Sequence, residues 1–221
     1  GVDLDWEYPV SGGKDGNVNR PEDQKNFTLL LRAVRDQLNR QGEADGHSYL
    51  LTIAAAANSG YLKKIEPEKA AGIVDFVFLM SYDYHGPWDS YADLNAPLYM
   101  PSEWSPQYKN SVDDSIQTYL RAGIPAGKIV MGVPLYGYLY EQVSEAGYGL
   151  YSQFSAAKSI SYDALKSQYI HHPGYRQLYH AEARVPYLYG EHTFITYENA
   201  KSVSEKARLA ARYQLAGIGF W

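Results

Sequence analysis

The first seven residues constrain the chain most. Val2, Leu4 and Trp6 alternate with Asp3, Asp5 and Glu7, a period of two that belongs to a β-strand. Alternate side chains on a strand share one face at roughly 7 Å spacing, so three carboxylates project together. Like charges that close push at least one carboxyl pKa upward, and a carboxyl still protonated near neutrality is a general acid. Two other arrangements fit the same spacing. One is an edge strand whose acids face solvent; the other is a divalent-metal site, although no His or further carboxylate cluster stands out to complete it.

The rest of the chain alternates strand and helix patterns. A glycine-rich polar loop (residues 11–20) leads to Pro21, which opens a helix with Phe27, Leu30, Leu31, Val34 and Leu38 on one face and an end near Gly42. Residues 49–56 and 73–81 read as buried strands, with short helical stretches around Tyr61 and at 67–71 between them. A long loop rich in proline and aromatics (84–110) precedes a helix over 111–121, where Ser111 and Asp114 form a capping-box pattern. A strand over 128–135, a helix over 198–215 and a short strand over 217–221 complete the chain. That order predicts a parallel α/β architecture. Residues 138–192, rich in Tyr and Ser, break the rhythm and read as an insertion between a strand and the next helix.

Composition narrows the function. With 20 Lys+Arg against 25 Asp+Glu, a net charge of -5 and no basic run, neither nucleic acid nor an anionic membrane is an expected partner. No apolar stretch approaches the roughly 18 residues of a membrane span. The chain has no cysteine, which excludes disulfides and thiolate-held metals without fixing a compartment. Tyr, at 22 residues, dominates the aromatics; a flat apolar face with a polar edge suits sugars, although most of these rings are expected to fill half-buried strands and interfaces. The opening at Gly1, inside a strand and without a start Met, reads as a piece cut from a longer protein, so the lack of a leader carries no meaning.

Gly1 to Pro9, Gly-Val-Asp-Leu-Asp-Trp-Glu-Tyr-Pro, resembles the signature of glycoside hydrolase family 18, the chitinases and their relatives. Further resemblances come in the family's order: Met80-Ser81-Tyr82-Asp83-Tyr84 with Gly86-Pro87-Trp88, then Gly132 to Gly137, then Val185 to Tyr189, then Gly217 to Trp221. The resemblance implies a (β/α)8 TIM barrel of which this chain holds only strands 4 to 8, with a small α+β insertion between strand 7 and the last helix and strand. The implied layout is partial barrel over 1–137, insertion over 138–192, and the last helix and strand over 193–221. An opened barrel leaves unpaired strand edges, so such a piece is expected to be unstable and weakly active alone.

The resemblance also implies roles. Glu7 protonates the glycosidic oxygen, Asp5 orients the acetamido group of the sugar, Asp3 shares a proton with Asp5, and Tyr82 hydrogen-bonds the acetamido oxygen. Asp83 contacts the sugar, Met80 packs beneath it, Trp88 stacks on the leaving-group side, and Tyr136 and Trp221 line the floor of the site. Taken singly, Met80 and Tyr136 fit a core position better than a ligand position. Many relatives carry Arg where this chain has Tyr138, so a charged contact from that position is not expected. The family pattern also has another Asp two positions before Gly1, which this chain lacks.

The implied activity is hydrolysis of β-1,4-linked N-acetylglucosamine polymers, by a secreted, monomeric enzyme that needs no cofactor or metal. The rival from another class is a lectin that binds chitin oligosaccharides without cutting them. Lectins of this family commonly lack the acid, whereas Glu7, Asp5 and Tyr82 are all present. A change of substrate, to peptidoglycan or the chitobiose core of N-glycans, fits the insertion less well. His171-His172 has no convergent metal spacing, Asp15-Gly16-Asn17 lacks the other ligands of a calcium loop, and the Asn26-Phe27-Thr28 sequon falls inside a helix.

Overall fold

A computed structural model describes residues 1–103, 105–107 and 109–221. Trp104 and Tyr108, in the long loop expected over 84–110, lie outside the described residues. The chain divides into two compact units. The first holds Gly1–Met80, Ser115–Met131 and Ala210–Gly217; the second holds Ser81–Asp114, Gly132–Leu209 and Ile218–Trp221.

The acidic segment forms β1 (Val2–Asp5). Its alternation is visible in burial: Asp3, Asp5 and Glu7 are exposed, while Leu4 and Trp6 are half-buried. Trp6 meets buried Phe27 edge-on at 5.8 Å, which anchors the strand on α1 (Asp23–Asp45). This helix runs past the expected stop at Gly42 to Gly46, whose left-handed φ of 67° and N–H to the Gly42 carbonyl close it. Gly42 serves another need: a Cβ there would collide with the His47 carbonyl. The glycine is required by a close approach, not by a cap.

Strands β2 (Leu51–Ala56), β3 (Phe76–Met80) and β4 (Ile129–Val133) pair in parallel, in register from Val2 to Leu51, Thr52 to Phe76 and Val77 to Ile129. Along β3, Val77 and Leu79 are buried while Phe76, Phe78 and Met80 are half-buried, so the sheet has two unlike faces. The helical connections are α2 (Ser59–Leu62), α3 (Pro67–Ile73) and α4 (Val112–Arg121). Ser111 accepts the Asp114 N–H at 3.2 Å, as the capping pattern predicts.

The second unit contains an antiparallel sheet. Its strands are β5 (Tyr136–Glu141), β6 (Ala156–Ser161), β7 (Arg176–His180), β8 (Val185–Gly190) and β9 (Thr193–Thr196), in the order β6-β5-β9-β8-β7, with α5 (Tyr162–Gln168) after β6. Period-two patterning gives each face a core. Tyr138 and Tyr140 of β5 join Val185, Phe194, Ala92 and Leu94 on one face, while Leu139 joins Leu165, Leu188 and Ile195 on the other. The loop residues Ala92 and Leu94 therefore cover one face and α5 the other. The next helix, α6 (Ala200–Arg212), buries Lys206, whose ammonium pairs with buried Glu198 and donates to the Ala96 carbonyl at 2.8 Å.

The chain ends on β10 (Gly217–Phe220), which completes the parallel sheet in the order β1-β2-β3-β4-β10. Ala216 donates to Ile129 at 2.9 Å and Trp221 to Val133 at 3.0 Å, so numbering rises together on both strands. No helix among the described residues is long and apolar enough to cross a membrane.

Candidate active site

In the first unit, β1 carries Asp3 and Asp5, while the strand expected as far as Glu7 stops at Asp5 and leaves Glu7 in a bend two residues on. Asp3 accepts the Thr52 hydroxyl at 2.5 Å from its register partner on β2. Partial burial holds the Asp5 carboxyl above the ordinary carboxylate range, and the charges of Glu7 and then Asp3 add to it. The loop over 11–20 secures the backbone just past the strand: Asn17 donates to the Glu7 carbonyl at 3.1 Å and Asn19 to the Tyr8 carbonyl at 3.0 Å. Gly13, with φ 83°, lies so close that a Cβ would sit 2.6 Å from the Asn17 amide. The Glu7–Tyr8 peptide is cis. Asn17 is thus occupied with backbone, and no three metal-ligating side chains are gathered among the described residues.

Tyr61, on α2, is buried, and its hydroxyl meets no hydrogen-bond partner among the described residues. Burial pushes that hydroxyl's pKa up, as do the charges of Asp5 and Glu7. Met80 ends β3, paired in register with Ala56.

In the second unit, the sequence that continues from Met80 builds a corner around one carboxylate. Ser81 is buried and donates to the Gly132 carbonyl at 2.8 Å. Asp83 adopts a left-handed φ of 58°, and its N–H is held by the Asn95 side chain at 2.8 Å. Its Oδ1 accepts two hydroxyls, from Tyr136 at 2.5 Å and from Tyr138 at 2.8 Å. Burial first, and then the Asp83 carboxylate, pushes both phenols up in pKa. The rings continue as edge-on pairs: Tyr82 with Tyr136 at 6.1 Å, Tyr136 with Tyr138 at 5.7 Å, and Tyr138 with Trp88 at 5.6 Å.

Trp88 is 61% exposed and sits on a turn with specific demands. A Cβ on Gly86 would meet the indole Cζ2 at 2.6 Å, so only glycine lets the ring fold back. Asp89 accepts the Gly86 N–H at 3.1 Å and lies 3.0 Å from His85 Nδ1. Trp221 is pinned through its backbone, with Leu135 donating to its carbonyl at 2.6 Å, and its side chain is exposed.

Within the first unit, then, Asp3, Asp5 and Glu7 stand together; within the second, Tyr82, Asp83, Trp88 and Tyr136 do. The sequence pattern did not single out Tyr138, Asn95 or Tyr61 as site residues. Tyr138 was legible in principle, because it lies two residues from Tyr136 on one strand and must share its face. Asn95 gives no local signal: it reaches Asp83 across a loop.

The model of the glycosyl hydrolases family 18 matches residues 1–221, and the chain belongs to that family. It is 41% identical over 237 residues to Chitinase A1 of Niallia circulans, covering 100% of this chain and 34% of that protein. It is 31% identical over 277 residues to Chitinase B of Serratia marcescens, covering 100% and 53%. Among solved structures, a family 18 N-acetylglucosaminidase from Paenibacillus barengoltzii superposes with a TM-score of 0.94 at 37% identity, covering 100% of this chain and 65% of that one. Chitinase ChiA74 from Bacillus thuringiensis gives 0.95 at 35%, covering 100% and 39%. The chain thus spans about a third to a half of the two curated relatives. The family's α/β fold is present as five parallel strands with the antiparallel insertion, without a closed barrel among the described residues.

Proposed function

We propose that the protein hydrolyses β-1,4 linkages of N-acetylglucosamine polymers with retention of configuration, Glu7 acting as general acid and then base. The observation that carries the reading is the exposed row Asp3, Asp5, Glu7, in which Asp5 holds its proton above the ordinary range. The names of Chitinase A1 and Chitinase B support the substrate class.

In this mechanism the substrate supplies its own nucleophile. Glu7 gives its proton to the glycosidic oxygen as that oxygen leaves C1, and the acetamido oxygen of the same sugar bonds to C1, forming an oxazolinium ion. Asp5 accepts the acetamido N–H and offsets the positive charge, with Asp3 sharing its proton. The Glu7 carboxylate then takes a proton from water, which attacks C1 and reopens the ring. Tyr82 donates to the acetamido oxygen and so favours the attacking geometry. Asp83, Met80, Trp88, Tyr136 and Trp221 hold neighbouring sugars, Trp88 on the leaving-group side. Chitin is an insoluble polymer, which favours a secreted enzyme that meets it outside the cell.

The test is hydrolysis of a fluorogenic chitotrioside by the protein and by Glu7→Gln. Loss of about 10²–10⁴-fold in kcat supports Glu7 as the acid. An unchanged rate in Glu7→Gln sinks the assignment. Binding of the oligosaccharide without any cleavage by the unsubstituted protein makes it a lectin instead.

A further inference from the structure

We infer that Tyr138 is a positioning residue that ties the acidic contact at Asp83 to the aromatic platform at Trp88, and so sets affinity for the sugar on the leaving-group side. The inference rests on the chitinase reading for its kinetic part and on geometry alone for the rest.

Tyr138 does two jobs with separable atoms. Its hydroxyl is one of two that converge on Asp83 Oδ1, at 2.8 Å beside the 2.5 Å bond from Tyr136. Its ring backs the Trp88 indole edge-on at 5.6 Å with planes 83° apart. The residue that makes both contacts is itself fixed: it is 6% exposed and sits mid-strand on β5, paired with Thr196 on one side and Ser159 on the other. The two groups it holds are less enclosed. Trp88 stands 61% exposed on a loop, and Asp83 is an exposed side chain on a left-handed backbone.

The two hydroxyls hold the same carboxylate oxygen, so removing that of Tyr138 leaves Asp83 Oδ1 with the Tyr136 hydroxyl alone of this pair. Removing the ring instead takes the support from behind the indole, whose edge-on packing is of the kind that adds stability beyond buried area.

Double-mutant cycles separate the two jobs. Tyr138→Phe keeps the ring and loses the hydroxyl; Tyr138→Leu loses both. For Tyr138→Phe, KM for oligosaccharides that contact Asp83 is expected to rise about two- to fivefold with a smaller change in kcat, and this increment is expected to vanish in an Asp83→Asn background. For Tyr138→Leu, KM for oligosaccharides that reach Trp88 is expected to rise a further five- to tenfold or so, and that increment is expected to vanish in a Trp88→Ala background. Equal effects of the two substitutions, or effects that simply add to those of Asp83→Asn and Trp88→Ala, overturn the inference.

If the protein binds chitotriose without cleaving it, the same cycles are read from the binding constant. If it neither binds nor cleaves, the chitinase reading fails by itself. The coupling of Tyr138→Phe to Asp83→Asn in thermal unfolding then still decides the contact: coupling upholds it and additivity removes it.

Discussion

Where β1 runs out into the bend at Glu7, three acids within five residues stay exposed, and partial burial with the charges of Glu7 and Asp3 raises the proton affinity of Asp5; around Asp83, one exposed carboxylate draws hydroxyls from residues 53 and 55 positions away. The first centre is local in sequence, and burial together with like charge raises the proton affinity of Asp5. The second is made by tertiary structure and gathers two neutral hydroxyls on one carboxylate oxygen. Both are carboxylates near water, yet one is set among other acids and the other among phenols.

The sharpest way to break this contrast is Asp5→Asn. An amide of the same shape has no charge to offset the oxazolinium and no proton to share with Asp3. The expected loss is about 10²–10³-fold in kcat, comparable to removing one preorganised electrostatic contact, with a smaller change in KM. A variant that keeps its kcat shows that the acidic row works through Glu7 alone, and the contrast between the two centres loses its first half.

How much of each centre could be read in advance depends on the same difference. The row of Asp3, Asp5 and Glu7 was legible because a period of two is local, and so was the Ser111 cap on α4, which spans three residues. The end of α1 was misplaced because Gly42 and Gly46 are equally good stops by type. Only the tertiary approach of the His47 carbonyl explains the first. The strand order β6-β5-β9-β8-β7 was hidden because each strand of the insertion is short and its pairing is nonlocal. Trp88 was legible as an exposed aromatic in a polar loop, but the ring behind it was not, since edge-on support from β5 leaves no pattern in the chain.

The second centre has its own point of failure in Asn95. This side chain is buried, accepts the Asp83 N–H, and its backbone carbonyl takes the Tyr84 N–H at 3.0 Å. Asn95→Ala removes the acceptor for an N–H on a left-handed residue, at a cost of about 1–3 kcal/mol. For a chain of this size that lowers the melting temperature by about 3–10 °C. Calorimetry checks it, and an unchanged melting temperature means that Asp83 does not depend on Asn95. The backbone of β1 is secured differently, by its ladder to β2.

The smallest expected effect tests the first centre from the side of stability. Asp5 has a raised pKa when folded, so its contribution favours the folded chain at pH below the unfolded value of about 3.9 and is lost as pH rises through the folded value. Above that range the Asp5 carboxylate is a cost, imposed by partial burial and by Glu7 and Asp3. Asp5→Asn is therefore expected to melt about 1–2 °C higher than the unsubstituted protein at pH 7, with the gain gone near pH ~3. The side chain is exposed, so part of the gain is expected to fade in molar salt, which screens the repulsion but not the desolvation. A gain that persists undiminished in acid would place its origin in packing, and the acids of β1 would then be neighbours without being coupled.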